Sequence, residues 1–280
     1  MSKLCPGIIR TIVTTALITI TSATQAQQAP LPIPKTQPPA VVVPTTTPTN
    51  QDLKLLSKAV GIFWQTDRAE TESKMQFRGV GTGITIDSII DVKTIVQTGG
   101  KFRSQLTFTP IGSTVKSTYI IISNGANVWI HRPDRNEYAK TTLAKFGDED
   151  IWIGISSSMF INIDEKTRKQ LVSSLGTDRD FIVNLDPSEL KGIQLSTRQI
   201  DGVSSSVFSF NVDGSKVDVF LPIDNSNLQR IEFAIPEKGI NVTLIETIIK
   251  RSSQVDITDR TFTFTPPKGT KKLKSIKIEL

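Results

Sequence analysis

Apolar residues recur at every second position through most of this chain, in short runs separated by turn residues. Met75-Gln76-Phe77, Gly83 to Asp87 and Val92 to Val96 are strand-like, and Gly99-Gly100 is a hairpin signal. In Phe102 to Phe108 the residues Phe102, Leu106 and Phe108 point one way, while Arg103, Gln105 and Thr107 point the other. Tyr119 to Ile122 and Asn127 to His131 flank Asn124-Gly125, a type I′ turn pair. Val203 to Val212, Lys216 to Leu221, Ile231 to Ile235 and Ile240 to Ile249 continue the habit, with Asp201-Gly202 and Asp213-Gly214 as turns. Thr261 to Thr265, Thr-Phe-Thr-Phe-Thr, reads as a closing strand that Pro266-Pro267 stops. About ten or eleven such strands, joined in series, predict one large antiparallel sheet, and a sheet of that size curls or closes.

Two segments carry a helical period instead. Leu53, Leu56, Ala59, Val60, Phe63 and Trp64 make one apolar face of a helix opening at Asn50. Residues 143–192 interrupt the strand series: Asp150 to Ile155 and Met159 to Ile161 are apolar without alternation, and Asp164 is placed to cap a helix through Leu175. A helical insert in the middle of a curled sheet is placed to cover its open side. The expected class is therefore mainly β within α+β, with an N-terminal helix and a mid-chain lid.

The N-terminus reads as a secretory signal over residues 1–26. Lys3 and Arg10 precede the apolar stretch Ile12 to Ile20, and Thr24-Gln25-Ala26 offers small residues for cleavage. The stretch is short and rich in threonine for a membrane span, although a retained anchor is the alternative reading. The single cysteine, Cys5, lies before that stretch, so a chain cleaved after Ala26 has no disulfide and no thiolate site. Residues 27–49 carry seven prolines and form an extended linker. Residues 50–280 are long enough for one domain with a full core.

The formal charge is +6, and falls by two to +4 without Lys3 and Arg10. That balance, in an exported chain, does not describe a nucleic-acid binder. Lys268, Lys271, Lys272, Lys274 and Lys277 cluster at the tail. They are a solvated end or a weak contact with an anionic membrane surface, worth about 1 kcal/mol per residue near that surface. Catalytic chemistry finds little to work with. His131 is the only histidine, nothing around Ser156-Ser157-Ser158 resembles a nucleophile elbow, and zinc wants several His or Cys ligands. Asp148-Glu149-Asp150 lacks the alternating oxygens of a calcium loop, and Gly79-Val80-Gly81-Thr82-Gly83 lacks the Lys-Ser/Thr of a phosphate loop. No enzyme activity, cofactor or metal is expected.

Two motifs resemble the LolA/LolB-like superfamily of periplasmic lipoprotein carriers. One is Phe262-Thr263-Phe264-Thr265-Pro266-Pro267-Lys268-Gly269. The other is Asn124-Gly125-Ala126-Asn127-Val128-Trp129-Ile130-His131-Arg132-Pro133, continuing to Tyr138. The resemblance covers roughly residues 51–270 and implies an incomplete barrel whose helices cover an apolar cavity. It implies a non-enzymatic periplasmic protein that holds a lipid, an acyl chain or an acylated protein. Phe77, Phe102, Leu106, Phe108, Trp129, Phe208, Phe210, Phe233 and Leu244 are the candidate lining, each of which is otherwise ordinary sheet core. Trp152, Met159 and Phe160 are the lid candidates. A second implication is a sensor or interaction module, since related folds bind membrane regulators. The chain departs from the carriers at Gln97-Thr98-Gly99-Gly100, where they place a Lys-Arg-Pro whose arginine latches the lid.

Overall fold

The computed structural model describes residues 46–82, 84–147, 150–173, 192–212, 214–237 and 240–278. The signal, most of the linker, Asp148-Glu149 and the end of the predicted insert, including Leu175, lie outside these residues. Helix α1 (Asn50–Trp64) opens the domain. Its N-cap is Thr49 rather than Asn50. The Thr49 hydroxyl accepts from Asp52 N, and the Asp52 carboxylate accepts from Thr49 N at 2.8 Å, a reciprocal capping box. The signal for the cap was thus one residue upstream, with its acidic partner three residues on.

Twelve strands follow among the described residues: β1 (Arg68–Gly81), β2 (Ile84–Gln97), β3 (Lys101–Pro110), β4 (Ser117–Asn124), β5 (Asn127–Arg132), β6 (Glu137–Thr142), β7 (Gln194–Ile200), β8 (Val203–Val212), β9 (Ser215–Pro222), β10 (Arg230–Glu237), β11 (Ile240–Ser252) and β12 (Lys271–Lys272). Short helices α2 (Leu143–Phe146), α3 (Ile155–Asn162) and α4 (Glu165–Ser173) lie between β6 and β7. The Asp164 carboxylate accepts from Thr167 N at 2.9 Å and caps α4.

The sheet order is β12-β6-β5-β4-β3-β2-β1-β11-β10-β9-β8-β7. It is two meanders set side by side, β1–β6 and β7–β11, joined along one antiparallel seam between β1 and β11. All pairs are antiparallel except β12 on β6, and the ladder does not close. Alternation gives one inner face that runs unbroken across the register. Val92, Leu106 and Tyr119 share it, as do Met75 and Ile90, and Phe77, Leu244 and Phe233. The helices pack on this face. Phe63, Trp64, Phe146, Trp152, Ile153, Phe160 and the sheet form one continuous core, and Leu53, Leu56 and Ala59 of α1 cover Phe208 and Leu221 in a second.

Residues 261–265 do not form the expected closing strand. Thr261 N and Thr263 N donate to Thr258 O and Arg260 O in successive turns. Both neighbours of β11 are already taken by β1 and β10, so the chain leaves the ladder and returns over the outer face. There Phe264 rests on His131 and Tyr138 at 5.5 Å and on Trp129 at 6.5 Å. Only the dipeptide of β12 rejoins the sheet, after which Ile276 and Ile278 enter the inner core.

Candidate functional site

The inner face and its cover form the candidate site. Phe77, Phe102, Leu106, Phe108 and Leu244 lie buried on the inner face, with Phe210 and Phe233 half-buried beside them. Phe208 is on the same face but beneath α1, apart from that group. Trp129 is elsewhere. Its neighbours Val128 and Ile130 point inward, so Trp129 faces out, paired across the sheet with Ile122 and Lys140 and carrying the Lys140 ammonium 5.4 Å above its ring. The alternation was readable, but a lone Trp between two aliphatics gives no sign of which set faces the core.

The cover begins with a 3₁₀ turn over Asp150–Ile153 and continues into α3. Trp152 meets Phe108 edge-on at 5.9 Å, Phe160 meets Phe63 at 6.1 Å, and Met159 is half-buried against the same core. These side chains pack between the sheet and the cover. One opening of about 460 Å³ lies at the end of the cover, between the β4–β5 turn at Gly125 and Ala126, Leu143 of α2, and Ile161 and Asn162 of α3.

Apolar packing is not the only thing that holds the cover down. A row of polar groups crosses the inner face beneath it. Thr94 Oγ1 donates to Ile153 O at 2.8 Å and is paired with Ser104 Oγ at 2.6 Å. Glu246 of β11, wholly buried, accepts from Ser73 Oγ at 2.7 Å, from Ser156 N at 2.6 Å and from Ser156 Oγ at 3.1 Å. Ser156 is in the first turn of α3, where free backbone N–H groups and the helix dipole favour an acceptor. Gly154 makes room for this approach. Its φ is +99°, and a Cβ there would stand 2.8 Å from Glu246 Oε1. Burial drives the Glu246 carboxyl above its ordinary value, against the hydrogen bonds from Ser156 and Ser73 and the charge of Arg251.

Arg251 reaches the same face through a β-bulge. The register slips between Glu72 and Ser73, where Lys250 and Ile248 are consecutive partners and Ile249 is left over. Were Ile249 paired in an unbroken alternation, Lys250 would point inward and Arg251 outward. Instead it donates to Thr71 Oγ1 at 2.8 Å and to Phe63 O, with its guanidinium 4.0 Å above the Phe63 ring and 5.2 Å above Phe160. Burial lowers its pKa to about 10, opposed by Glu246. Sequence reasoning missed both groups. The available signal was a glutamate at an inward position of β11, after Val242 and Leu244.

Among the described residues, His131 and the buried serines of α3 are not brought together. His131 is on the outer face, where burial depresses its pKa against the pull of Asp134, and Ser156 is on the inner one. Among the described residues no three His, Cys, Asp or Glu side chains group as metal ligands, and no helix is long and apolar enough to cross a membrane.

The described residues form an unclosed antiparallel sheet with a few helices on its inner face, and solved structures with a similar course of the backbone exist. The chain is similar to LprF from Mycobacterium bovis, at 11% identity over 77% of this chain and 100% of that one, with a TM-score of 0.39. It is similar to the LolA superfamily protein NE2245 from Nitrosomonas europaea, at 12% identity over 75% and 96%, with a TM-score of 0.31. It is also similar to a chain of the Pseudomonas aeruginosa MucA/MucB complex, at 12% identity over 76% and 59%, with a TM-score of 0.28. These likenesses concern the arrangement of the backbone alone. No family model and no curated protein matches the chain.

Proposed function

We propose that this chain is an exported, non-enzymatic carrier or binding protein that takes an acyl chain, of a lipid or an acylated protein, onto the inner face of its half-barrel. The observation that carries this reading is the cover itself. It is apolar where it meets the sheet, yet a short row of hydrogen bonds anchors it. An acyl chain and the side chains of Trp152 and Phe160 compete for one surface. Each methylene moved out of water contributes about 0.8 kcal/mol, so a long chain offsets the loss of the cover's own contacts. The periplasm is the compartment this role and the N-terminal signal fit. An envelope protein would be donor or acceptor, and the lysines around β12 would add weak attraction to an anionic membrane surface.

A second reading has its own observation. Side chains of the cover pack directly on the inner face, which is the arrangement a sensor or interaction module of this architecture would need. Native mass spectrometry of the protein purified from an envelope fraction separates the two. A co-purifying acyl species supports the carrier. A clean apo mass, followed by no uptake of a fluorescent fatty-acid probe, supports the module.

A further inference from the structure

Resting on the carrier reading, we infer that Glu246 sets which lipids can enter. The site takes acyl chains whose polar end donates hydrogen bonds, such as a glyceryl hydroxyl or an amide, and rejects those ending in a carboxylate.

The argument starts from what the cover supplies. Of the three hydrogen bonds to Glu246, two come from Ser156 of the cover and one from Ser73 of the sheet. Glu246 is flanked across the ladder by Met75 and Ile231, both buried and apolar. When the cover lifts, the two Ser156 donors leave with it. The carboxylate then has Ser73 and water. A ligand that settles on the same surface expels that water and leaves Glu246 short of donors unless it brings its own. Leaving a buried acceptor unpaired is the costly outcome, and more so for a charged one. A hydroxyl or amide head replaces the Ser156 donors directly. A carboxylate head brings a second anion and no donor.

The one cation nearby does not reverse this. Arg251 is engaged by Thr71 Oγ1 and the Phe63 carbonyl and lies between two aromatic rings. An independent sign of a polar end in the site is Ser157. Its hydroxyl is 1% exposed, next to Ser156, with no hydrogen-bond partner among the described residues. Selectivity of this kind exceeds what chain length alone gives, because it turns on an unpaired polar group rather than a methylene.

The test compares 1-monopalmitoylglycerol with palmitate, both below their micellar concentrations at pH 8. Binding is read by isothermal titration calorimetry of the wild-type protein and the variant. The wild-type protein is expected to bind the monoglyceride at least about tenfold more tightly, the ratio set by one unpaired charged acceptor. Glu246→Gln should bring the ratio to within about threefold by gaining affinity for palmitate, since Gln removes the second anion and supplies a donor. Equal wild-type affinities, or a ratio that Glu246→Gln leaves unchanged, would overturn the inference while the carrier reading stands. Failure of the wild type to bind either lipid removes the carrier reading and the selectivity with it. The wild-type comparison decides the matter even if the variant does not fold.

Discussion

Glu246 ties stability to pH in a direction opposite to that of most surface carboxylates. Its pKa is raised in the folded, closed protein by burial, from an ordinary 4.5. Its contribution is therefore complete below that ordinary value and is lost as pH rises through the raised one. The wild type should lose stability relative to Glu246→Gln as pH rises above the ordinary value of 4.5, by at most about 1.4 kcal/mol per pH unit. Thermal melts of the two proteins across that range check this, and parallel curves would sink it. His131 titrates with the other sign, its pKa being lowered, and cancels in the comparison because both proteins carry it. At Gly154 the constraint is steric. Gly154→Ala places a Cβ against the Glu246 carboxylate and strains a φ of +99°. It should cost about 1–3 kcal/mol in urea denaturation, whereas Gly112→Ala, with nothing within 4 Å, has only the φ strain to bear. These polar residues were the least legible part of the sequence. A hydrophobic pattern marks a face but ranks Glu246 as an error in it, and only the meeting of β11 with β1 and α3 shows that the error accepts three hydrogen bonds.

At the scale of elements, the bulge in β11 is the device that turns Arg251 inward. Deleting Ile249 closes the bulge but leaves Lys250 opposite Glu72 and Arg251 opposite Thr71, so Arg251 stays on the inner face with its contacts to Phe63, Phe160 and Thr71. The deletion should therefore leave the melting temperature near that of wild type, whereas Arg251→Ala, which removes those contacts, should lower it clearly while far-ultraviolet dichroism remains that of a sheet. Ile249→Ser keeps the extra residue, and since Ile249 is 66% exposed it should stay within about 0.5 kcal/mol of wild type. A deletion as costly as Arg251→Ala would mean that the bulge does more than set which face Arg251 takes. The strands themselves were legible because period two is strict in β3 and because Gly99-Gly100, Asn124-Gly125 and Asp201-Gly202 sit at real turns. The bulge was not, since one extra residue in Thr247-Ile248-Ile249-Lys250 looks like ordinary apolar continuation. Nor was the path of residues 261–265, whose Phe-Thr alternation is strand-like locally but has no free sheet edge to join.

At the scale of the whole molecule, the chain end is part of the core. Ile278 is buried on the inner face beyond β12, so Ile278→Ala should cost about 2–4 kcal/mol by urea denaturation, while Lys277→Ala should change little. Equal, small effects would show the end to be a loose tail. The seam between β1 and β11 carries a further consequence, for the order in which the protein assembles. Each meander is built from hairpins of neighbouring strands and needs little loop closure, but the seam joins Ser73 to Glu246 across 173 positions and must form late. Ser73, Thr71, Glu246 and Arg251 all flank that seam, and the cover is fastened through them. The cover therefore has nothing complete to fasten to until the two halves have zipped together. Its closure reports that assembly is finished, and a chain stalled short of that point presents an unfastened, apolar face to whatever chaperone surveys it.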